Sequence, residues 1–111
     1  MSLGHLLKLV RTHRQLNQKE MADLLAISQN YLSLIESDKK EPSGELISRI
    51  AKSLNVSSDA LLFAASNVPD EFNDEEGATY RKLQRNIVTL LLFQMTGELK
   101  DVAKTTLETN A

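Results

Sequence analysis

Residues 16 to 36, "LNQKEMADLLAISQNYLSLIE", constrain the fold more than any other stretch of this chain. Asn17 is a good N-cap, because its side chain can accept from an unpaired backbone N–H in the first turn of a helix that runs to about Leu25. Met21, Ala22, Leu24 and Leu25 form that helix's expected buried face. Ala26 and Ile27 turn the chain, Ser28 caps again, and a second helix follows to about Glu36, with Ile27 and Leu32 placed as a hydrophobic staple across the cap. Two helices joined by so few residues cannot lie antiparallel. They cross steeply, and the N-terminal half of the second projects from the surface. Between Asp23 and Glu36 there is no charged side chain, so this projecting rod is faced with neutral amides and hydroxyls. Gln29, Asn30 and Ser33 point away from the apolar Leu32 and Ile35.

The rest of the chain also reads as helical. Glycine and proline are scarce, and no stretch alternates cleanly among Val, Ile, Thr and aromatics as a strand would. The pattern predicts an all-α protein. Helix 1 covers about residues 3 to 14, with Leu3, Leu6, Leu7 and Val10 on one stripe and Lys8, Arg11 and Arg14 beside it. After the loop "SDKKEPSG", Pro42 blocks helical continuation and Ser43 can cap a helix over 44 to 54, with Ile47, Ile50, Ala51 and Leu54 inward. Asn55 tolerates the left-handed conformation that often ends a helix. Ser57 then caps "SDALLFAA", with Leu61 and Leu62 inward. Five short helices make up residues 3 to 65.

Composition removes several function classes. At 111 residues the chain is one domain by the usual prior and can bury one modest core. Thirteen Lys and Arg against fifteen Asp and Glu argue against a strongly polybasic surface. That average hides an asymmetry: residues 1 to 66 hold eight basic and seven acidic side chains, and 67 to 111 hold five and eight. The absence of cysteine rules out disulfide and thiol chemistry and fits a reducing cytoplasmic location. "IVTLLLF" at 87 to 93 is far short of the roughly 20 residues a membrane span needs, and no signal peptide precedes it. "MSL" reads as an expression leader, so Met1 and Ser2 carry no weight.

A projecting helix faced with amides suits one task in particular. Such a rod fits the major groove of duplex DNA. Glutamine and asparagine each present a donor and an acceptor together, matching the paired acceptor and donor on the major-groove edge of adenine. A carboxylate there would be repelled by phosphates, and none occurs from Leu24 to Ile35.

At these residues the chain resembles the Cro and phage-repressor, or XRE-like, helix-turn-helix family of bacterial and phage regulators. The resemblance covers about residues 3 to 65. It rests on "LNQ" opening helix 2, small Ala22 at the crossing, apolar Met21, Leu32 and Ile35, "IE" ending helix 3, and Pro42 before "ISRIAKSLNVSSDALL". It implies a five-helix, lambda-repressor-like DNA-binding domain over residues 1–66. It further implies that Gln18 and Gln29 stand where such repressors often carry two glutamines, one bonding phosphate and bracing the other against a base. Asn17 would likewise reach phosphate, and Asn30 and Ser33 resemble base-reading positions. Leu34 replaces a polar residue, either to pack on a thymine methyl or as an exposed leucine. Ser28 and Tyr31 complete the reading surface, and Lys19, Lys39 and Lys40 are candidate phosphate contacts, as is Arg14. The resemblance also suggests that Arg11 pairs with Glu36, locking the reading helix to the scaffold; the alternative is two unrelated surface charges. The family usually has glycine where this chain has Gln15 and Ala26, and a side chain in the left-handed conformation costs roughly 1–2 kcal/mol.

The C-terminal part is expected to serve a second purpose. Residues 67–77 form an acidic linker, and Asn73 with Glu76 reads as a capping box for a helix running to about Thr96. Residues 78–111 are expected to form a helical dimerisation region. Tyr80, Leu83, Ile87, Leu90, Leu91 and Phe93 are its candidate contacts, and Val88 and Leu92 widen the apolar surface. After Gly97, "ELKDVAKTTLE" carries Leu99, Val102, Ala103 and Leu107 and is expected to fold back as a helical hairpin. The competing reading is that this pair caps its own N-terminal domain; a homodimer interface is favoured, since five helices already close a core.

Nothing in the sequence supports catalysis. His5 and His13 are eight residues apart with no metal-like partner at helical spacing, and the carboxylates from Asp70 to Glu76 lack a calcium-loop pattern. There is no glycine-rich phosphate loop and no nucleophile motif. No enzyme activity, metal or other cofactor is expected. The favoured reading is a regulator, expected to repress, that binds a palindromic operator as a homodimer; three or four basic contacts per domain would cover about 6–8 phosphates and give a salt slope of about −5 to −7. An alternative gives the C-terminal helices another protein to bind, as in an antitoxin. A third reading is a helical interaction module without DNA binding.

Overall fold

A computed structural model describes residues 1–93 of the chain. The helix expected after Gly97, and with it the hairpin, lies outside the described residues. Among these, every regular element is helical: α1 (Leu3–His13), α2 (Gln18–Leu25), α3 (Gln29–Glu36), α4 (Gly44–Ser53), α5 (Ser58–Ala64) and α6 (Asp74–Phe93). None of them is long and apolar enough to cross a membrane.

The helix starts follow from cap chemistry. Asn17 accepts from Glu20 N while the Glu20 carboxylate accepts from Asn17 N, which satisfies two orphan donors at the start of α2. Ser28, Ser43 and Ser57 each accept from the backbone N–H three residues on. Asn73 and Glu76 repeat the reciprocal arrangement at the start of α6. Ser2, given no weight in the sequence, also caps: its side chain accepts from His5 N, and its hydroxyl donates to Asp38 at 3.0 Å. Gln15 (φ 59°) and Ala26 (φ 57°) take the left-handed conformation despite having side chains, and Asp38 (60°) and Asn55 (58°) do so as well. Each lets the chain leave a helix sharply. Ala26 N and Ile27 N donate back to Asp23 O and Ala22 O, and with Ser28 they make the three-residue joint between α2 and α3.

One hydrophobic core joins all six helices. Leu6, Leu7 and Val10 of α1 pack with Met21 and Leu25 of α2, Leu32 and Ile35 of α3, Leu46 and Ile50 of α4, Leu61 of α5 and Leu91 of α6. Two leucines expected inside this core are not there. Leu24 is 65% exposed, because Met21, Leu25 and Ala22 define the inward arc of α2 and Leu24 lies about 60° beyond its Met21 edge. Leu62 is exposed while its neighbour Leu61 is buried.

The helix after the acidic stretch does not stand apart. It begins at Asp74, inside the stretch read as linker, and lies across α1 and α5. Leu91 is fully buried in the common core, and Gln84 Nε2 donates to Phe63 O at 3.0 Å and Ser66 O at 2.6 Å, closing the end of α5. Tyr80 bonds Ser66 through its hydroxyl and stacks against Phe63, with ring centroids 4.7 Å apart.

Gly4 sets how closely α1 approaches the end of α3. A Cβ there would sit 2.1 Å from Ile35 O and 2.7 Å from Asp38 Oδ1. Backbone cannot yield cheaply to such a clash, so Gly4→Ala is expected to destabilise the protein by about 1–3 kcal/mol, read as a lower denaturant midpoint. A Gly4→Ala midpoint equal to that of the parent would show that α1 slides off α3 without cost.

Candidate nucleic-acid interface

Helix α3 is fixed from behind by one carboxylate. Glu36, at the last position of α3, takes two bonds from the Arg11 guanidinium: Nε to Oε2 at 2.7 Å and Nη2 to Oε1 at 3.0 Å. Arg11 Nη1 donates to Leu16 O at 2.9 Å, and Gln18 Nε2 donates to Glu36 Oε1 at 3.1 Å. Side chains from α1, α2 and α3 therefore meet at one point. The two charged side chains are 11% and 3% exposed, so the pair is a buried one and not two surface charges. The fork of Arg11 matches the carboxylate bidentately, which fixes direction as well as distance.

The opposite side of α3 is open. Gln29 and Asn30 are exposed, while Tyr31, Ser33 and Leu34 are half-buried. Ser28, at the start of the helix, is exposed, but its hydroxyl is occupied as the cap. The one carboxylate of α3 faces inward on Arg11, so no negative charge is presented by the helix's outer face.

Basic side chains flank it. The turn after α3 is closed by Asp38 N donating to Ile35 O, and by Lys39 N and Lys40 N donating to Leu34 O. This holds Lys39 and Lys40, both exposed, directly beyond the end of α3. The Lys40 ammonium lies 5.5 Å from the Tyr31 ring centroid, and the Tyr31 hydroxyl accepts from Ser43 N at 3.4 Å. Tyr31 thus braces the basic loop and keeps only part of its surface exposed. Asp38 ties the same loop to the start of α1 through Ser2, with His5 Nε2 3.6 Å away.

The residues at the start of α2 divide their roles. Lys19 is exposed. The Asn17 side-chain oxygen is engaged by Glu20 N, and Gln18 directs its amide N–H inward to Glu36, leaving its carbonyl oxygen as the free end. Arg14, a further candidate for phosphate, is half-buried; its Nε and Nη2 are enclosed without an acceptor among the described residues, and burial lowers its pKa. Its enclosed N–H groups do not face solvent.

The six side chains read as a dimer contact separate on α6. Leu91 belongs to the chain's own core, Tyr80 is engaged with Phe63 and Ser66, and Ile87 packs half-buried against the core. Leu83, Leu90 and Phe93 remain on the surface at 50%, 48% and 42% exposure. Leu91 could not serve as a subunit contact because the phase of α6 is set by its seat on α1 and α5. Phe93 also lies edge-on to His13, with centroids 5.8 Å apart.

Two short helices joined by three residues, with a buried brace and an uncharged outer face, define the helix-turn-helix class, and residues 7–61 match the helix-turn-helix family. The chain belongs to that family, in its Cro and phage-repressor branch. It is 39% identical over 69 residues to the ImmF control region 10 kDa protein of Bacillus phage phi105, covering 62% of this chain and 77% of that one. It is 32% identical over 105 residues to the HTH-type transcriptional regulator ImmR of Bacillus subtilis strain 168, covering 91% and 81%. The immunity repressor protein of phage phi105 is 27% identical over 90 residues, covering 78% and 62%. No solved structure matches the chain.

Several of these working residues have no signature in the sequence. Gly4, Ser2 and Asp38 act through contacts between α1 and the turn after α3, 31 to 36 positions away. The Gln18 bond to Glu36 spans 18 positions. Only the unusual presence of glycine in the first turn of α1 was available as a hint.

Proposed function

We propose that this chain is a transcriptional regulator that binds duplex DNA sequence-specifically, acts as a repressor, and does so as a homodimer on a palindromic operator. One observation carries the reading: the exposed, uncharged Gln29 and Asn30 stand on a helix whose only carboxylate is turned inward and clamped by Arg11 and Gln18. Side chains that pair a donor with an acceptor read adenine in the major groove, and a helix held at a fixed angle brings them there in register. Lys19, Lys39 and Lys40 supply phosphate contacts around them. The names of the relatives, two regulators and a phage immunity-region protein among them, support regulation and repression.

A single domain with three such lysines binds weakly. Two copies joined through the exposed side of α6, where Leu83 and Leu90 lie one heptad apart, would place two reading helices on one face of the duplex. The same leucines would suit another protein, and co-purification of a stoichiometric partner would favour that assignment.

Selection of bound sequences from random duplex DNA, followed by a salt titration on the winner, tests the proposal. The expected winner is a palindrome with half-sites about 34 Å apart. Two sets of three lysines cover about six phosphates, so log affinity is expected to fall against log salt with a slope of about −5. An unenriched pool, or a slope near zero, would contradict it.

A further inference from the structure

The two flanks of α6 differ in chemistry. One carries Leu83 and Leu90; the other forms, with α5, an open groove of about 500 Å³. Ala64 of α5 and Ala78 and Val88 of α6 give this groove apolar walls, and Arg81 and Arg85 stand one helical turn apart along it. Both arginines are exposed, and neither guanidinium has an acceptor among the described residues, although α6 opens with three carboxylates five to eleven positions earlier. Arg81 folds back along its own helix, with Nη2 3.6 Å from the position a Cβ on Gly77 would take. The groove is also held open. Both amide hydrogens of Gln84 are directed to the carbonyls of Phe63 and Ser66, and Leu91 anchors the helix below. These contacts fix how α6 sits against α5, and the exposed Met1 at the chain's start also lines the groove.

We propose that this groove binds an amphipathic monocarboxylate, a small molecule with one carboxylate on an apolar body. A volume of about 500 Å³ lies within the roughly 300–1,000 Å³ typical of small-molecule sites, which pair mostly apolar walls with a few polar groups. Arg81 and Arg85, four positions apart on α6, each carry a guanidinium fork that can bind a planar carboxylate bidentately. An apolar ligand without charge would make no use of the two exposed forks, and a bare anion would leave the alanine and valine walls unused. The site shares no residue with α3 or its flanking lysines, so the inference does not depend on the DNA-binding reading.

Titrating the isotope-labelled full chain with octanoate, octan-1-ol, acetate and inorganic phosphate, followed by backbone amide shifts, tests it. Octanoate is expected to shift amides along the groove, around Ala64, Ala78, Arg81 and Val88, in a saturable way and about tenfold or more tightly than the other three probes. The Arg81→Gln, Arg85→Gln variant is expected to keep the parent's spectrum and lose about tenfold in octanoate affinity, with its weak octanol binding unchanged. Equal binding of octanoate and octanol would reduce the groove to an apolar surface and overturn the proposal. Phosphate binding as tight as octanoate, shifts located elsewhere, or an undiminished affinity in the variant would overturn it too.

Discussion

Replacing Glu36 by alanine is expected to destabilise the protein by about 3–5 kcal/mol, because the buried Arg11 guanidinium keeps its charge and loses its counter-ion. Gln18 loses its acceptor at the same time. Against a total stability of about 5–15 kcal/mol for a domain of this kind, the melting temperature should fall by on the order of 20 °C. The informative comparison is Arg11→Met with Glu36→Leu, which removes both charges and fills the space. That double variant should recover most of the stability, since a buried ion pair is often replaceable by apolar side chains. It should not recover the fixed angle of α3, because the bidentate fork and the Gln18 bond are gone, so DNA affinity should remain low while the fold survives. Circular dichroism melts and a DNA titration on the same samples separate the two effects. If the Glu36→Ala melt overlays that of the parent, the brace is not a structural element.

The exposed side of α6 gives the second large effect. Leu83 and Leu90 are about half exposed, so Leu83→Asp with Leu90→Asp should leave the monomer's stability nearly unchanged. In the proposed homodimer the two copies contribute four such leucines, each burying the rest of its side chain for about 1 kcal/mol, and carboxylates there would also have to be desolvated. Self-association is expected to weaken by on the order of 10³-fold, seen by sedimentation as a monomer. Affinity for a two-half-site operator should fall with it, while weak binding to a single half-site stays as it was. Should the variant sediment as the parent does, the seam between copies lies elsewhere and this flank of α6 is free for another protein.

Local chemistry was the most readable part of the fold. Asn17, Ser28, Ser43, Ser57 and Asn73 announce helix starts because a cap needs only its own side chain and the next three residues. Left-handed Gln15 and Ala26 stand where the resemblance puts glycine, and the chain takes that conformation without it. The Arg11–Glu36 pair, 25 residues apart, was available only through that resemblance. Contacts between distant elements were not readable at all: the approach of Gly4 to Ile35, the bond of Ser2 to Asp38, and the double donation of Gln84. Leu24 was misplaced because apolar identity suggested burial where the turn of α2 gives solvent. In "LLLF" the sequence offers three consecutive leucines, and which of them faces inward depends on the seat of α6 against α1 and α5. There Leu91 is buried and Leu90 half exposed.

The central claim is that Gln29 and Asn30 read bases. Its most direct measurement is the affinity of the parent and of the Gln29→Ala, Asn30→Ala variant for the selected duplex and for a scrambled duplex of equal length, across a salt series. Losing two paired base contacts in each half-site should cost the variant about 10²-fold or more on the selected duplex. Affinity for the scrambled duplex and the salt slope should hold, since the lysines are untouched. A variant that discriminates the two duplexes as well as the parent does would contradict the account.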